Sequence, residues 1–171
     1  MFPFNSRWKL AQYSELKWWQ NYFRRKHKNS YYQWKSQYWH QVLQAGGFSG
    51  LDQKELKILD AGSGPAGIFT ILDAHQVDAM DPLMNAYETK LPLFDKHDYP
   101  WVHFYEAPLE DFKASQQSYD VIFCMNAINH VADIEVAIQH LADLLKDKGI
   151  LWITVDAHNY HFFKHLFRLI P

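Results

Sequence analysis

The stretch KILDAGSGPAGIF, residues 57–69, limits the folds open to this chain more than any other stretch. An apolar run ends there in Asp60, and the glycines that follow have the spacing G-x-G-x-x-G, at Gly62, Gly64 and Gly67. That spacing after an apolar run predicts a strand, a tight turn and a helix. Because the glycines allow a ligand close to the backbone, the turn is predicted to bind one.

Short apolar runs alternate with helical patterns along the chain after Gly50, which predicts a parallel sheet covered by helices on both faces. The predicted strands are 57–61, 76–80, 101–105, 119–125 and 150–155, and the helical patterns lie near 66–74, 84–90, 133–146 and 158–169. Two more helices are predicted at 6–28 and 30–45, the second with Ser30 as its N-cap. The expected fold class is therefore α/β.

Length and cysteine content restrict the class of protein. The chain has 171 residues, of which 48% are hydrophobic, so it has enough material for one domain with a sizeable core. Cys124 is the only cysteine, which excludes an intrachain disulfide framework and fits a reducing compartment. No apolar run approaches the ~20 residues that span a bilayer, and the start lacks the apolar core of a secretory signal. A soluble, cytoplasmic protein is expected.

Charge divides the chain near residue 50. Residues 1–50 carry eight Lys or Arg and one acid, Glu15, whereas the remainder carries nine Lys or Arg and eighteen acids. This division predicts a basic, aromatic helical cap over 1–50 on a ligand-binding domain over 51–171, the two forming one compact unit. The basic run at 21–30 is predicted to be a solvated helix end or a contact with membrane headgroups. No nucleic-acid partner is expected, because the base-recognition motifs of common RNA modules are missing.

Two residues beside the glycines indicate the charge of the ligand. Asp60 ends the strand, where a carboxylate costs desolvation unless it meets a cation or hydrogen-bond donors. Pro65 offers no N–H at the start of the predicted helix, although a pyrophosphate needs donors there. The turn therefore favours a ligand that carries an ammonium group. A nicotinamide-dependent oxidoreductase stays open as an alternative, because G-x-G-x-x-G permits it.

The motif ILDAGSGPAG resembles the first motif of class I S-adenosylmethionine-dependent methyltransferases, and VDAMDPL, which ends a strand with Asp81, is similar to the second. The resemblance covers roughly residues 50–157 and implies a Rossmann-like, doubly wound sheet in the order 3-2-1-4-5, with S-adenosylmethionine as cofactor. It implies that Asp60 helps to hold the methionine amino group and that Asp81 accepts the ribose hydroxyls. The further cofactor contacts that it implies are Ala61, Gly62, Ser63, Gly64 and Pro82.

Two later segments extend the resemblance. FYEAPLEDF, residues 104–112, resembles the segment beside the adenine edge, which implies a contact from Pro108 and a backbone N–H contact from Leu109. YDVIFCMNAINHVAD, residues 119–133, is very similar to the family's fourth strand and the loop beyond it. That likeness implies that Met125 and Asn126 border the methionine and the sulfonium.

The loop after the fourth predicted strand supplies the candidate catalytic residues. Transfer to a hydroxyl requires a base, and His130 is the candidate because imidazole titrates near neutral pH. The amides of Asn126 and Asn129 are predicted to orient an acceptor, which we expect to be a small molecule with an oxygen or nitrogen nucleophile. The loop is loosely similar to that of ubiquinone-biosynthesis O-methyltransferases, which usually carry glutamates at these two positions in a metal-associated cluster. Because asparagine removes both charges, no metal is expected here.

The resemblance also implies that the usual final hairpin of the sheet is missing, which leaves ILWITV, residues 150–155, as an exposed apolar edge. Three explanations stay open: the chain is a fragment, it forms a homodimer through this edge, or the helix predicted near 158–170 folds over it. The missing strands and the two asparagines also motivate a second hypothesis, a methyltransferase-like binding or partner subunit without catalysis.

Overall fold

The computed structural model of the chain describes residues 6–48, 50–52 and 55–155. Five strands form one sheet in the order β3-β2-β1-β4-β5, and each neighbouring pair is parallel. The predicted fold class and strand order are therefore confirmed. The strands are β1 (Lys57–Ala61), β2 (Gln76–Met80), β3 (Val102–Tyr105), β4 (Tyr119–Met125) and β5 (Leu145–Thr154).

The described residues also form four α-helices, which are α1 (Ser6–Phe23), α2 (Lys28–Ala45), α3 (Met84–Lys90) and α4 (Ile134–Leu144). Helix α1 ends at Phe23 rather than at residue 28, because the chain turns there and the N–H of Lys26 bonds to the Phe23 carbonyl. The predicted Ser30 cap is wrong, since α2 already begins at Lys28 with His27 in the N-cap position. The helix predicted at 158–169 lies outside the described residues.

The helix predicted at 66–74 is wrong. The chain instead forms two short 3-10 turns, Gly64–Ala66 and Ile68–Ile71. Gly67 separates them in an extended conformation with ψ of −178°, and the N–H of Phe69 then donates to the Asp60 carboxylate at 3.0 Å. A side chain that accepts this N–H competes with helical hydrogen bonding, so the segment remains a pair of turns.

Strand β5 begins earlier than predicted, at Leu145 rather than at residue 150. Its first pair joins Leu145 to Tyr119, and the register then shifts before regular pairing continues from Ile150 opposite Val121. Lys148, with φ of 64°, lies in the irregular stretch between these pairs, as expected for a bulge. The predicted bounds therefore cover the regularly paired part of the strand.

Both faces of the sheet are buried. The β-strand side chains of one face, including Ile58 and Phe123, pack in a cluster with residues of α1, α2 and α3. Those of the other face, including Leu59 and Ile122, pack with residues of α4 such as Leu141. This doubly wound arrangement brings the carboxyl ends of β1, β2 and β4 to one edge, around the switch in strand order between β1 and β4. In the part of the chain that is described, no helix has the length and apolar character needed to cross a membrane.

Candidate functional site

The turn after β1 is held by backbone hydrogen bonds to the end of β2. The N–H groups of Gly62 and Ser63 both donate to the carbonyl of Met80, at 2.9 and 3.1 Å. Gly62 has φ of 71°, and a Cβ added there would lie 2.3 Å from the Cβ of Ala127. Glycine is therefore required here both by the backbone conformation and by the close approach of the loop after β4.

Asp60 is enclosed by the turn that follows it. The residue is 1% exposed, and its Oδ2 atom accepts the N–H of Phe69 at 3.0 Å. Gly67 leaves room for the carboxylate, since a Cβ at that residue would lie 2.3 Å from Oδ2. Burial raises the pKa of Asp60 to about 7, although the Phe69 N–H and the charge of Lys35 act in the opposite direction. The carboxyl group therefore exchanges its proton near neutral pH.

Asp81 follows β2 and is fixed by two backbone donors. Its Oδ2 atom accepts the N–H of Gly64 at 3.0 Å, and Oδ1 accepts the N–H of Leu83 at 2.8 Å. Burial, and then repulsion from Glu15, raises the pKa of Asp81 to about 7 against the lowering effect of these hydrogen bonds. Carboxylate oxygens accept more than one hydrogen bond each, so Asp81 keeps the capacity to bind ligand donors.

A narrow cleft opens where β1, β2 and β4 end. It holds about 570 Å³ outside the protein atoms when its open mouth is included, but only about 110 Å³ of this lies a water radius clear of the walls. A ligand in the cleft therefore touches opposite walls. The lining consists of Trp8, Gln12, Glu15, Gly62, Met80, Asp81, Pro82, Pro108, Leu109, Glu110, Asn126, Ala127, His130 and Val131.

The structure brings most of the predicted site residues to this cleft or to its immediate surroundings. Those that line it are Gly62, Asp81, Pro82, Pro108, Leu109, Asn126 and His130. Those that are buried and outside the lining are Asp60, Ala61, Ser63, Gly64 and Met125. Asn129 is exposed and is not part of the lining. The cofactor predictions thus cluster more tightly than the catalytic ones.

The loop after β4 forms the wall opposite β2. Asn126 begins it with φ of 56°, a conformation that asparagine adopts more readily than most residues. The Asn126 N–H donates to the Thr154 carbonyl at 2.9 Å, which ties the loop to β5. His130 ends the short turn Ile128–His130, and its exposed side chain faces the cleft.

Sequence reasoning misses four aromatic or polar lining residues, which are Trp8, Gln12, Glu15 and Glu110. Glu15 accepts the hydroxyl of Tyr87 at 3.0 Å, and Glu110 accepts the backbone N–H of Ala132. The first three have the spacing of one helical face, but nothing in the sequence of α1 distinguishes that face. For Glu110 a signal exists, since it directly follows the predicted contact Leu109.

The charge of the cleft fits a cationic ligand. Carboxylates line it from Glu15, Asp81 and Glu110, and among the described residues no Lys or Arg does. A pyrophosphate would need cations or N–H donors in their place. S-adenosylmethionine carries a sulfonium and an ammonium group and no phosphate, so the side chains present suit it better than they suit a dinucleotide. Gln12, which also lines the cleft, adds a buried amide oxygen that has no hydrogen-bond partner among the described residues.

Comparison with known proteins gives the family. A family model described as a methyltransferase domain matches residues 24–171. The chain belongs to the class I S-adenosylmethionine-dependent methyltransferase family, for which S-adenosylmethionine is the cofactor.

Curated relatives point to a similar class. The chain is 32% identical over 105 residues to a ubiquinone biosynthesis O-methyltransferase of Rickettsia canadensis. The matched region covers 60% of this chain and 44% of the relative. It is 30% identical to the protein of the same name from Rickettsia bellii, over 60% of this chain and 43% of the relative. The chain therefore spans less than half the length of these relatives.

Solved structures share the fold. One is a putative S-adenosyl-L-methionine-dependent methyltransferase from Methanococcus maripaludis, with a TM-score of 0.58 and 14% identity over 71% of this chain and 57% of that one. Another is a putative sarcosine dimethylglycine methyltransferase from Galdieria sulphuraria, with a TM-score of 0.55 and 23% identity over 70% of this chain and 46% of that one. At these identities the likeness concerns the fold alone.

Proposed function

We propose that this chain transfers a methyl group from S-adenosylmethionine to a small-molecule acceptor with an oxygen or nitrogen nucleophile. The observation that carries the proposal is the cleft at the switch in strand order, which is lined by carboxylates and, in its described part, by no Lys or Arg. The printed names of the curated relatives, O-methyltransferases of ubiquinone biosynthesis, favour an oxygen nucleophile.

Within this proposal, different residues at or near the cleft bind different parts of the cofactor. Asp81 accepts the ribose hydroxyls, and Asp60 acts on the ammonium end from behind the turn. Pro82, Pro108 and the Leu109 backbone border the adenine. The cofactor, when bound, supplies the methyl group on a sulfonium, a good leaving group for in-line displacement. The other contribution of the protein is to align the acceptor and to exclude water.

His130 is the proposed general base for a hydroxyl acceptor. It lines the cleft beside the loop that begins at Asn126, so it is placed to receive the proton of an acceptor held there. Asn126 is proposed to border the sulfonium, and the exposed Asn129 to orient the acceptor only. We propose no metal at this site, because the two asparagines supply no charge for a hard cation.

Replacement of His130 tests the catalytic part of the proposal. We expect His130→Ala to lower the rate of transfer to a hydroxyl acceptor about 10²- to 10⁴-fold, the range for general-base catalysis, with little change in cofactor affinity. His140→Ala is the matched control. The imidazole of His140, a residue of α4, hydrogen-bonds to the Phe112 carbonyl and lies outside the cleft lining. Equal rates for wild type and His130→Ala would contradict the assignment.

Calorimetric titration with S-adenosylmethionine, S-adenosylhomocysteine and NADH tests the cofactor part. Micromolar binding of the first two and none of NADH is the expected result. Tight NADH binding would instead favour a nicotinamide-dependent oxidoreductase. Binding without methyl transfer to any member of a metabolite panel would favour the second candidate, a non-catalytic binding or partner subunit, which the asparagines at 126 and 129 motivate.

We also propose how the chain is organised and what it contacts. Residues 1–50 act as a cap on 51–171, and the cleft-lining residues of α1 support one compact unit.

The edge of β5, where Ile150 is 45% exposed, is proposed to form a homodimer contact, which light scattering tests. The exposed Trp18 beside Arg24 and Arg25 supports a contact of the N-terminal helices with anionic lipid, which vesicle sedimentation tests.

A further inference from the structure

Helix α1 presents an unusual face to the cleft. Trp8, Gln12 and Glu15 recur at the spacing of one helical face, and all three line the cleft. The inward face of a helix is normally apolar, because it packs on the core. Here an amide and a carboxylate stand where apolar side chains would seal the space. Polar groups in such a position need hydrogen-bond partners, from the protein or from a ligand.

The amide oxygen of Gln12 has no such partner among the described residues. The residue is 8% exposed, and its Oε1 atom is, within the described residues, the one buried side-chain nitrogen or oxygen without a hydrogen bond. Buried polar atoms in folded proteins are almost always paired, because an unpaired acceptor keeps the full penalty of its lost hydration. The Gln12 side chain belongs to the wall of a cleft that we assign to a ligand rich in donors, with two ribose hydroxyls and two amino groups, and a small rotation of the amide would bring Oε1 to such a donor.

Glu15, one turn further along α1, is partly satisfied. Its Oε1 atom accepts the hydroxyl of Tyr87 at 3.0 Å, which holds the carboxylate at the cleft. Asp81 lies close enough to Glu15 for mutual repulsion. No Lys or Arg of the described chain lines the cleft to balance these charges. Two like charges held together in a narrow space are stabilised by a cation that enters it.

We propose that α1 is a cofactor-recognition element, in which Gln12 accepts a hydrogen bond from bound S-adenosylmethionine and Glu15 stabilises its positive charge. This inference rests on the proposed function and deepens it. The narrow cleft supports direct contact, because a ligand that reaches from Gly62 to Leu109 touches the wall formed by α1. The carboxylate of Glu15 favours the sulfonium over its neutral thioether product, so the same helix assists exchange after transfer.

Gln12→Met separates a recognition role from a structural one. Methionine has a similar length and no strong acceptor, so it removes an unpaired buried atom from the ligand-free protein. We expect the ligand-free variant to be at least as stable as wild type, whereas its affinity for S-adenosylmethionine falls about five- to tenfold, the value of one hydrogen bond. Gln20→Met on the same helix, outside the cleft lining, is the matched control and should leave affinity unchanged.

Glu15→Gln tests the charge separately and keeps an acceptor for Tyr87. We expect the affinity for S-adenosylmethionine to fall about fivefold and that for S-adenosylhomocysteine to stay within about twofold, because only the former carries the sulfonium charge. Thermal unfolding and calorimetric titration of each variant of the 171-residue chain give the stability and the affinity.

The possible results distinguish the role of Gln12, the role of the Glu15 charge and the proposed function from one another. Wild-type affinity in Gln12→Met, or a parallel loss of ligand-free stability and affinity, would overturn the role of Gln12. An equal loss of affinity for both ligands in Glu15→Gln would overturn the role of its charge. A wild-type chain that binds neither ligand would overturn the proposed function itself, and this inference with it.

Discussion

The two sides of the cleft are built in different ways. On the β1 and β2 side, the carboxylates of Asp60 and Asp81 are buried and each is fixed by backbone N–H groups. On the β4 side, His130 and Asn129 are exposed on a short loop. The difference teaches that the carboxylates proposed to hold the cofactor are preorganised by the fold, whereas the residues proposed to act on the acceptor depend on the side chains of a loop.

Gly62 joins the two sides, so its replacement should have the largest effect. Its Cβ in Gly62→Ala would meet Ala127 at 2.3 Å, and the residue has φ of 71°. We expect a loss of about 2–4 kcal/mol in the free energy of unfolding and no measurable cofactor binding, since Ala127 must move within the cleft wall. Urea unfolding and calorimetry measure both.

Gly47→Ala is a matched control for that variant. Gly47 has the same φ of 71°, but a Cβ there would meet nothing within 4 Å. Only the backbone cost of about 1–2 kcal/mol is expected, with full cofactor affinity. Equal losses in the two variants would show that the contact between Gly62 and the β4 loop is unimportant.

The second prediction compares two buried acids of the same region. Asp81→Asn should weaken S-adenosylmethionine binding about 10- to 100-fold, because hydrogen bonds to a charged acceptor are worth about 1.5–3 kcal/mol. Asp78, 6% exposed in β2, accepts the hydroxyl of Tyr119 at 2.6 Å and lies outside the cleft lining. Asp78→Asn should therefore lower stability and leave affinity within about twofold of wild type. Similar losses of affinity in both would refute a specific role for Asp81.

The third prediction concerns pH and has the smallest expected effect. Burial raises the pKa of both Asp60 and Asp81 to about 7, so the folded state retains protons that the unfolded state has lost between about pH 4 and pH 7. Their contribution to the free energy of unfolding therefore falls as pH rises through this range and is constant above it. Affinity for the cationic cofactor should rise by up to about tenfold from pH 6 to pH 8, as the carboxylates ionise.

Asp60→Asn isolates one of these two groups. The amide keeps an oxygen for the Phe69 N–H but does not titrate. Unfolding of the ligand-free variant should depend less steeply on pH between about pH 4 and pH 7 than that of wild type. Identical slopes would mean that Asp60 is ionised throughout this range.

Sequence patterns predict the sheet better than they predict the turns. The bounds of β1, β2 and β4 agree with the predicted ones, because a strand buried on both faces is mostly apolar, as VIFCM in β4 shows. The helix predicted at 66–74 is wrong, since the competing acceptor is the side chain of Asp60, which periodicity does not register. The Ser30 cap is wrong in a similar way, as the helix begins at Lys28 without a side-chain cap.

The site shows the same division. Strand-end residues such as Asp81 are recognisable because their spacing from the glycine turn is local in the sequence. Gln12 and Glu15 are not recognisable, because their place in the cleft depends on how α1 packs against α3, to which Glu15 is joined through the Tyr87 hydroxyl. Without the tertiary structure, a polar side chain on a helix is predicted to lie on the solvent-exposed face.

The position of α1 has a consequence for the order of assembly. Residues 8–15 form one wall of the cleft and residues 126–131 form another, so during synthesis the first wall leaves the ribosome long before its counterpart. Contacts between such distant segments form late in folding. Cofactor binding at this cleft would therefore require that α1 and the loop after β4 have already come together, and a ligand present during refolding would select the molecules in which they have.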